Sequence, residues 1–463
     1  MFLMRNKIVL LLTGCLMWLM SSCLGGSEEN SDYEIPKNCQ IISFKLENDS
    51  ILGLGSTRFT IDQLHGRIFN MDSLAYGTAM EKAICSVEYM DNTYGVAYVQ
   101  VVQTAVGDTI DWNASDSLDF SQPVEFIVGA YDGVTTKKYK AQVNVHQLVP
   151  DSMDWGLYTD RLTEEAIREQ KVIQHTYAGA ACYFMYTQPA GANSPYRLYY
   201  TVVTDMKNWT ALSLEGLPAG KALLSQLTAY EGTFYLPSTD GVLYQSVDGQ
   251  VWTVTEKTPV VQSLLGYVKT GGDRQPSVLA AIVKEGDALS FAAMDKEGIW
   301  TIGEAVPEDF PVTGFGQLNY TSMYYEYLMV VAGRSARNTL LNNAWGTMNG
   351  KVWALLTDTD TNYFGEREGV MLTAYDDKLW MIGGLDANGK GLKDMYETTD
   401  KGVSWSLIDT LVVLPENYTG RGFSSLQVDT DQFISIIGGK TASGNNEQQE
   451  IWRGRINRLG FEK

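Results

Sequence analysis

Apolar and polar residues alternate in short runs through most of the chain. Residues 41–46 (IISFKL), 83–89 (AICSVEY) and 97–102 (AYVQVV) keep a period of two between turn residues, the pattern of half-buried strands. Residues 118–133 (LDFSQPVEFIVGAYDG) and 138–145 (KYKAQVNV) predict a hairpin, with Asp132-Gly133 supplying positive φ angles at its turn. The spacing predicts an all-β sandwich over residues 38–148. One short stretch breaks the pattern: residues 163–170 (TEEAIREQ) predict a capped helix with acids in its first turn.

From residue 149 to 463 a self-similar unit returns. It stands at 200–209 (YTVVTDMKNW), 244–252 (YQSVDGQVW), 291–300 (FAAMDKEGIW), 345–353 (WGTMNGKVW) and 396–405 (YETTDKGVSW). Each has an aromatic eight or nine residues before a Trp, and Asp205, Asp248, Asp295, Asn349 or Asp400 four or five before it. Such a unit is a strand, a tight turn and a second strand. The Asp or Asn oxygen caps backbone N–H groups, and the Trp fills a seam against the next unit. The last unit, from about residue 422 to 459, ends without its Trp, and Trp155 is the spare. Counting Trp155, Trp209, Trp252, Trp300, Trp353 and Trp405 gives six units about 50 residues apart, with the segment around Trp155 closing the ring.

These units resemble the Asp-box of β-propeller blades, most fully in Thr398-x-Asp400-x-Gly402-x-x-Trp405. WMIGG (380–384) and ISIIGG (434–439) resemble the double glycine of kelch blades. The resemblance implies four-stranded blades, hence an immunoglobulin-like β-sandwich followed by a six-bladed β-propeller over residues 149–463. The immunoglobulin-like character of the sandwich is a likeness, since the string from Leu118 to Val145 resembles the closing hairpin of immunoglobulin-like modules in Bacteroidetes surface lipoproteins.

The first 22 residues change the picture of where the protein works. Arg5 and Lys7 precede about 13 apolar residues, too few to span a bilayer, and LMSSC (19–23) follows. This ending resembles the lipobox of bacterial lipoproteins, which implies a signal peptide over 1–22 and a lipid on Cys23; a plain secretory signal is the alternative. Residues 23–37 read as a flexible acidic tether. Glu28 and Glu29 resemble the acidic stretch that routes such lipoproteins to the outer face of the outer membrane, though further from the cysteine than is typical. As a whole the chain is similar to Bacteroidales surface lipoproteins joining these two modules, a family of unassigned activity. Asp-Ser/Thr-apolar triplets such as Asp49-Ser50-Ile51 and Asp409-Thr410-Leu411 are similar to the O-glycosylation acceptor of exported Bacteroidetes proteins.

Charge and composition exclude several chemistries. With 35 Lys and Arg against 55 Asp and Glu, the net charge of −20 repels nucleic acid. Three histidines in the whole chain, only His175 of them after residue 149, speak against zinc and copper sites and against galactose-oxidase chemistry. The sialidase reading invited by Asp-boxes lacks its arginine motif. No cofactor and no metal is expected, and the chain reads as a monomer. Cys39 and Cys85 are either bridged or, with Cys182, buried thiols. Asp119 and Asp132 read as turn caps over metal ligands. Asp358-x-Asp360-x-Asn362 has calcium-loop spacing, but Tyr363 replaces the glycine.

The candidate ligand-binding residues are Arg367 and Arg421, each just before an expected innermost strand, and Arg334, which follows VVAG (330–333). Converging on a channel mouth, they would suit carboxylate or sugar ligands; paired with Glu366 or Glu368, they would be structural. The tyrosines at 320, 324, 325 and 327 either stack sugars or pack the blade. Two functions follow: a surface binding module for a glycan or protein, or a glycan-active or other hydrolytic enzyme. Paired carboxylates at the channel mouth would mark the second.

Overall fold

The computed structural model describes residues 35–90, 95–191, 193–269, 271, 275–357, 364–444 and 447–457. Cys23 and its neighbours, and Asp358, Asp360 and Asn362, lie outside them. Regular structure among the described residues is β, apart from the single-turn 3-10 helices Leu54–Ser56 and Leu224–Gln226. The chain divides into two units, residues 1–149 and 150–463.

The first unit is a two-layer β domain. Ile41–Glu47, Ala83–Tyr89 and Ser117–Leu118 make one sheet. The other holds six strands in the order Phe59–Asp62, Arg67–Asn70, Thr136–Gln142, Val124–Gly129, Tyr98–Gln103 and Asp108–Asp111. One core lies between them, where Phe44 meets Phe59, Phe120 and Phe126 edge-on. A bulge between Ile41 and Ser43 shifts the alternation, so Ile41, Phe44 and Leu46 are all buried while Ile42 faces solvent. At the hairpin turn only Gly133 takes a positive φ, +73°. Asp132 instead accepts the N–H groups of Val134 and Thr135, and Asp119 caps Ser121 in the same way. Both aspartates are turn caps.

The second unit is a ring of six sheets, hereafter blades 1 to 6. Their innermost strands are Ile167–Tyr177, Thr228–Tyr230, Val260–Val268, Gly316–Ser322, Met371–Tyr375 and Ser425–Val428. Each blade continues outward by antiparallel hairpins. Blade 6 takes its outermost strand, Met153–Thr159, from the start of the unit, paired to Ile451–Ile456. No blade can bury its two faces alone, so the cores lie between blades, and six apolar clusters fill the six seams.

Each repeat Trp sits at a seam with the preceding blade. Trp252 packs with Phe184 and Tyr186 of blade 1, Trp353 with Phe291 of blade 3, and Trp405 near Met329 of blade 4. Trp155 occupies the corresponding place in blade 6. It stands two residues before Leu157, which pairs with Trp452, as Trp252 stands two before Val254 and its partner Tyr244. Its ring lies over Gly454, where a Cβ would approach it to 2.5 Å. Trp252 and Trp353 donate their indole N–H to the carbonyl three residues back, in their own turn. Trp155 has no such turn before it and donates to Val412 O at 3.0 Å instead.

The helix expected at 163–170 is absent. Thr163 does bond the Glu165 carbonyl and takes Gln449 on its N–H. From Ile167, however, the chain is extended, because Ile167–Tyr177 pairs along its length with Ala180–Pro189. Helix propensity over one turn loses to a ladder of that length and to burial of Ile167, Gln170 and Val172.

Candidate functional site: the central channel

The five Asp and Asn residues of the repeat cap their turns. Asp248 Oδ1 accepts Gln250 and Val251 N–H at 2.8 and 2.9 Å, and Asn349 Oδ1 accepts those of Lys351 and Val352. Asp205, Asp295 and Asp400 do the same for Lys207, for Glu297 and Ile299, and for Ser404. The turn glycine then seats against the preceding blade: a Cβ on Gly249, at φ +73°, would meet Tyr186 Oη at 2.7 Å. All five sites lie in turns between third and fourth strands, away from the channel.

The candidate arginines are structural, and two are corrected outright. Arg421 is wholly buried, donating to Glu450 at 2.6 Å and to the Thr419 and Gly438 carbonyls while lying over the Tyr418 ring. Arg367, 3% exposed, makes a two-pronged pair with Asp394 at 2.8 and 3.1 Å and donates to the Gly365 and Gly383 carbonyls. Buried and committed to an acid and to backbone carbonyls, neither guanidinium is presented to a ligand. Arg334 forms a fork with Glu368, both contacts at 2.8 Å, and keeps only a partly exposed edge. Of the pairings expected from sequence, only Arg334 with Glu368 occurs in this form. Asp394 and Glu450 were missed, although they follow Arg367 and Arg421 at nearly equal distances, which is the signal that could have found them. Tyr320 and Tyr327 stack on each other at 5.2 Å, so that part of the tyrosine stretch packs the blade.

What faces the axis is different. A cavity of about 440 Å³ is lined by Lys171 and Gln174 of blade 1, Thr228 of blade 2, Tyr267 and Lys269 of blade 3, Gln317 and Asn319 of blade 4 and Gln427 of blade 6. A smaller one of about 160 Å³ adjoins the strand starts and is lined by Lys171, Ser225, Phe315, Gln317, Phe423 and Ser424, among others. Lys171 and Gln317 belong to both, and blades 1 and 4 are opposite in a ring of six. These two residues therefore form a waist. No carboxylate is among the described residues lining either cavity.

Among the described residues the Lys171 amine has no ion pair and no hydrogen bond, and enclosure by the channel wall pushes it down to about 8. Gln317 Oε1 is buried without a partner. Their neighbours are committed elsewhere. Gln170 bonds the Ile437 carbonyl and Ser425, Gln427 bonds the Val172 carbonyl, and Lys440 faces Glu169 at 4.0 Å. Glu447, in the seam between blades 6 and 1, accepts from Gln170 at 3.3 Å and from the Gly439 N–H. Burial raises its carboxyl to about 8 against those hydrogen bonds. Sequence reading missed Lys171 because a lone lysine in an alternating strand carries no motif. Another cavity, about 420 Å³, lies toward blades 4 and 5, with Lys378 and Asp377 in its wall. It shares Lys269 and Asn319 with the larger channel cavity and, unlike it, carries carboxylates, those of Glu326, Asp376 and Asp377; its Lys378 is paired with Glu397. Among the described residues no cluster of His, Cys, Asp and Glu could hold a metal, and Cys39, Cys85 and Cys182 are buried free thiols.

Six blades around a lined channel, five of four strands and one of five, after a two-layer β domain, define a β-propeller protein with an appended N-terminal module. The chain belongs to the DUF6242 family: residues 149–463 match the DUF6242 beta propeller domain, and residues 37–143 match the N-terminal domain of that family, a domain of unknown function. No curated protein matches it. A solved structure described as that of YjhT is similar over 63% of this chain and 95% of its own, at 13% identity and a TM-score of 0.44. A likeness that distant says nothing about activity.

Proposed function

We propose that this chain is a lipid-anchored surface binding module whose ligand, a glycan or part of a protein, enters the central channel. One observation supports binding over hydrolysis: the two cavities that share Lys171 and Gln317 offer amides, hydroxyls and lysines, and their described lining residues include no carboxylate, Glu326, Asp376 and Asp377 lining only the adjoining cavity beyond Lys269 and Asn319. Glycoside hydrolysis uses two carboxylates flanking the bond, roughly 5 to 10 Å apart. Amide side chains, which donate and accept, suit recognition of a polar ligand without turnover. The anchor, the outer-membrane address and the kinship with Bacteroidales lipoproteins of immunoglobulin-like and kelch or Asp-box modules rest on the sequence features around Cys23, Asp132 and the repeats.

The test is a glycan and peptide binding screen of the chain from Ser27 onward, beside its Gln174→Trp variant. Gln174 is exposed within the channel, so a Trp there fills space without disturbing a seam. Binding of one ligand class, unchanged on recovery and lost in the variant at unchanged melting temperature, is expected. Cleavage of the ligand, or binding indifferent to Gln174→Trp, would overturn the reading. For the anchor, mass spectrometry of protein from its native membrane should find diacylglycerol on Cys23; an unmodified N-terminus elsewhere would remove it.

A further inference from the structure

We propose that the waist of the channel is an anion-binding site, where Lys171 pairs with an oxyanion group of a small hydroxylated ligand and Gln317 takes one of its hydroxyls. This deepens the reading of the channel as the binding site and rests on it. Three observations converge. Among the described residues the Lys171 amine has no partner, in a chain of net charge −20 where Lys440 and Lys378 each face a carboxylate, and Lys269 adds a second unpaired cation to the same cavity. A cation enclosed without a counter-charge is costly, and a ligand anion would relieve that cost. On the opposite blade, Gln317 keeps a carbonyl oxygen buried against Gly266 with nothing donating to it, so turning that amide toward a ligand O–H would satisfy it. Finally, both residues border the two cavities, so a ligand entering from either end meets them.

The charge logic is simple at this site. Lys269 and Tyr267 are the other titratable groups lining the larger cavity, and neither neutralises Lys171. Near neutral pH the amine is largely protonated and available. Above about 8 the empty site loses its charge, so binding weakens as pH rises through that value. A bound anion favours the protonated amine and raises its titration point.

The experiment titrates the full chain with D-glucuronate, D-glucose and inorganic sulfate, reading affinity by calorimetry and the Lys171 amine by ¹⁵N NMR. Glucuronate or sulfate should bind at least about tenfold more tightly than glucose. Whichever binds should move the Lys171 signal and raise its titration point, and should lose about tenfold in Lys171→Met. Response to glucuronate alone identifies a carboxylate ligand, and response to sulfate alone a sulfo or phospho group. If glucose binds as well as glucuronate and Lys171→Met changes neither, the channel still binds ligands but the anion site is refuted. If neither anion moves the Lys171 signal of the unaltered chain, the proposal fails whether or not the variant folds.

Discussion

Blades 1 to 3 and blades 5 to 6 solve one packing problem at opposite ends of the sheet. In blades 1 to 3 the fixed point is the turn between third and fourth strands, where Asp205, Asp248 or Asp295 gathers backbone N–H groups within a few residues of itself. In blades 5 and 6 it is the end where innermost strands begin. There Arg367 and Arg421 each tie the first glycine of a Gly-Gly pair to an acid 27 or 29 residues onward. Blade 5 carries both devices, since Asp400 caps its outer turn. The difference teaches that a cap is local and exposed, whereas the arginine cassette is nonlocal and buried. The first adjusts one turn; the second decides whether three loops can meet.

The largest expected effect follows from that contrast. Arg421→Met removes a buried cation from Glu450 and leaves the Thr419 carbonyl without its donor, while Gly438 keeps only the Ser424 hydroxyl. Breaking a buried pair from one side costs about 3 to 5 kcal/mol. Urea unfolding of the full chain should show a loss of that size in the propeller transition. A loss under about 1 kcal/mol, the level of an exposed pair, would erase the distinction between the two groups of blades.

How much of this was legible in the sequence depended on how far apart the cooperating residues lie. The repeat Trp and its Asp or Asn sit within one turn, so their spacing exposed the blades, as period-two alternation exposed Ile41–Glu47, Ala83–Tyr89 and Val124–Gly129. The nonlocal partners were not exposed in this way. Arg367 and Arg421 looked like ligand residues because an arginine near a Gly-rich loop has the same local signature whether it meets a ligand or a buried acid. Lys171 went unnoticed for the converse reason: what singles it out is the absence of a carboxylate among the described residues of the other blades that line its two cavities. The segment at 163–170 misled because its helical signals are local, while the strand that overrides them pairs with residues 180–189.

The smallest effect tests the local half of the comparison. Asp248→Ala removes the acceptor for Gln250 and Val251 N–H and for the Ser246 hydroxyl, all at a largely solvated turn where water replaces much of what is lost. By analogy with caps of helix ends, the cost is about 1 kcal/mol. Its pH dependence has a definite sign. Burial tends to raise the Asp248 carboxyl, but the N–H groups of Val251 and Gln250 and the Ser246 hydroxyl outweigh it and hold the group below the ordinary carboxylate range. A depressed carboxylate stabilises the fold above its unfolded-state value, and that contribution is lost as pH falls through the folded one. The unaltered chain and Asp248→Ala should therefore differ near neutral pH and converge in acid. A gap that persists after Asp248 is protonated would mean that the side chain acts by packing, not by capping, and blade 2 would then resemble blades 5 and 6 more closely than its sequence implies.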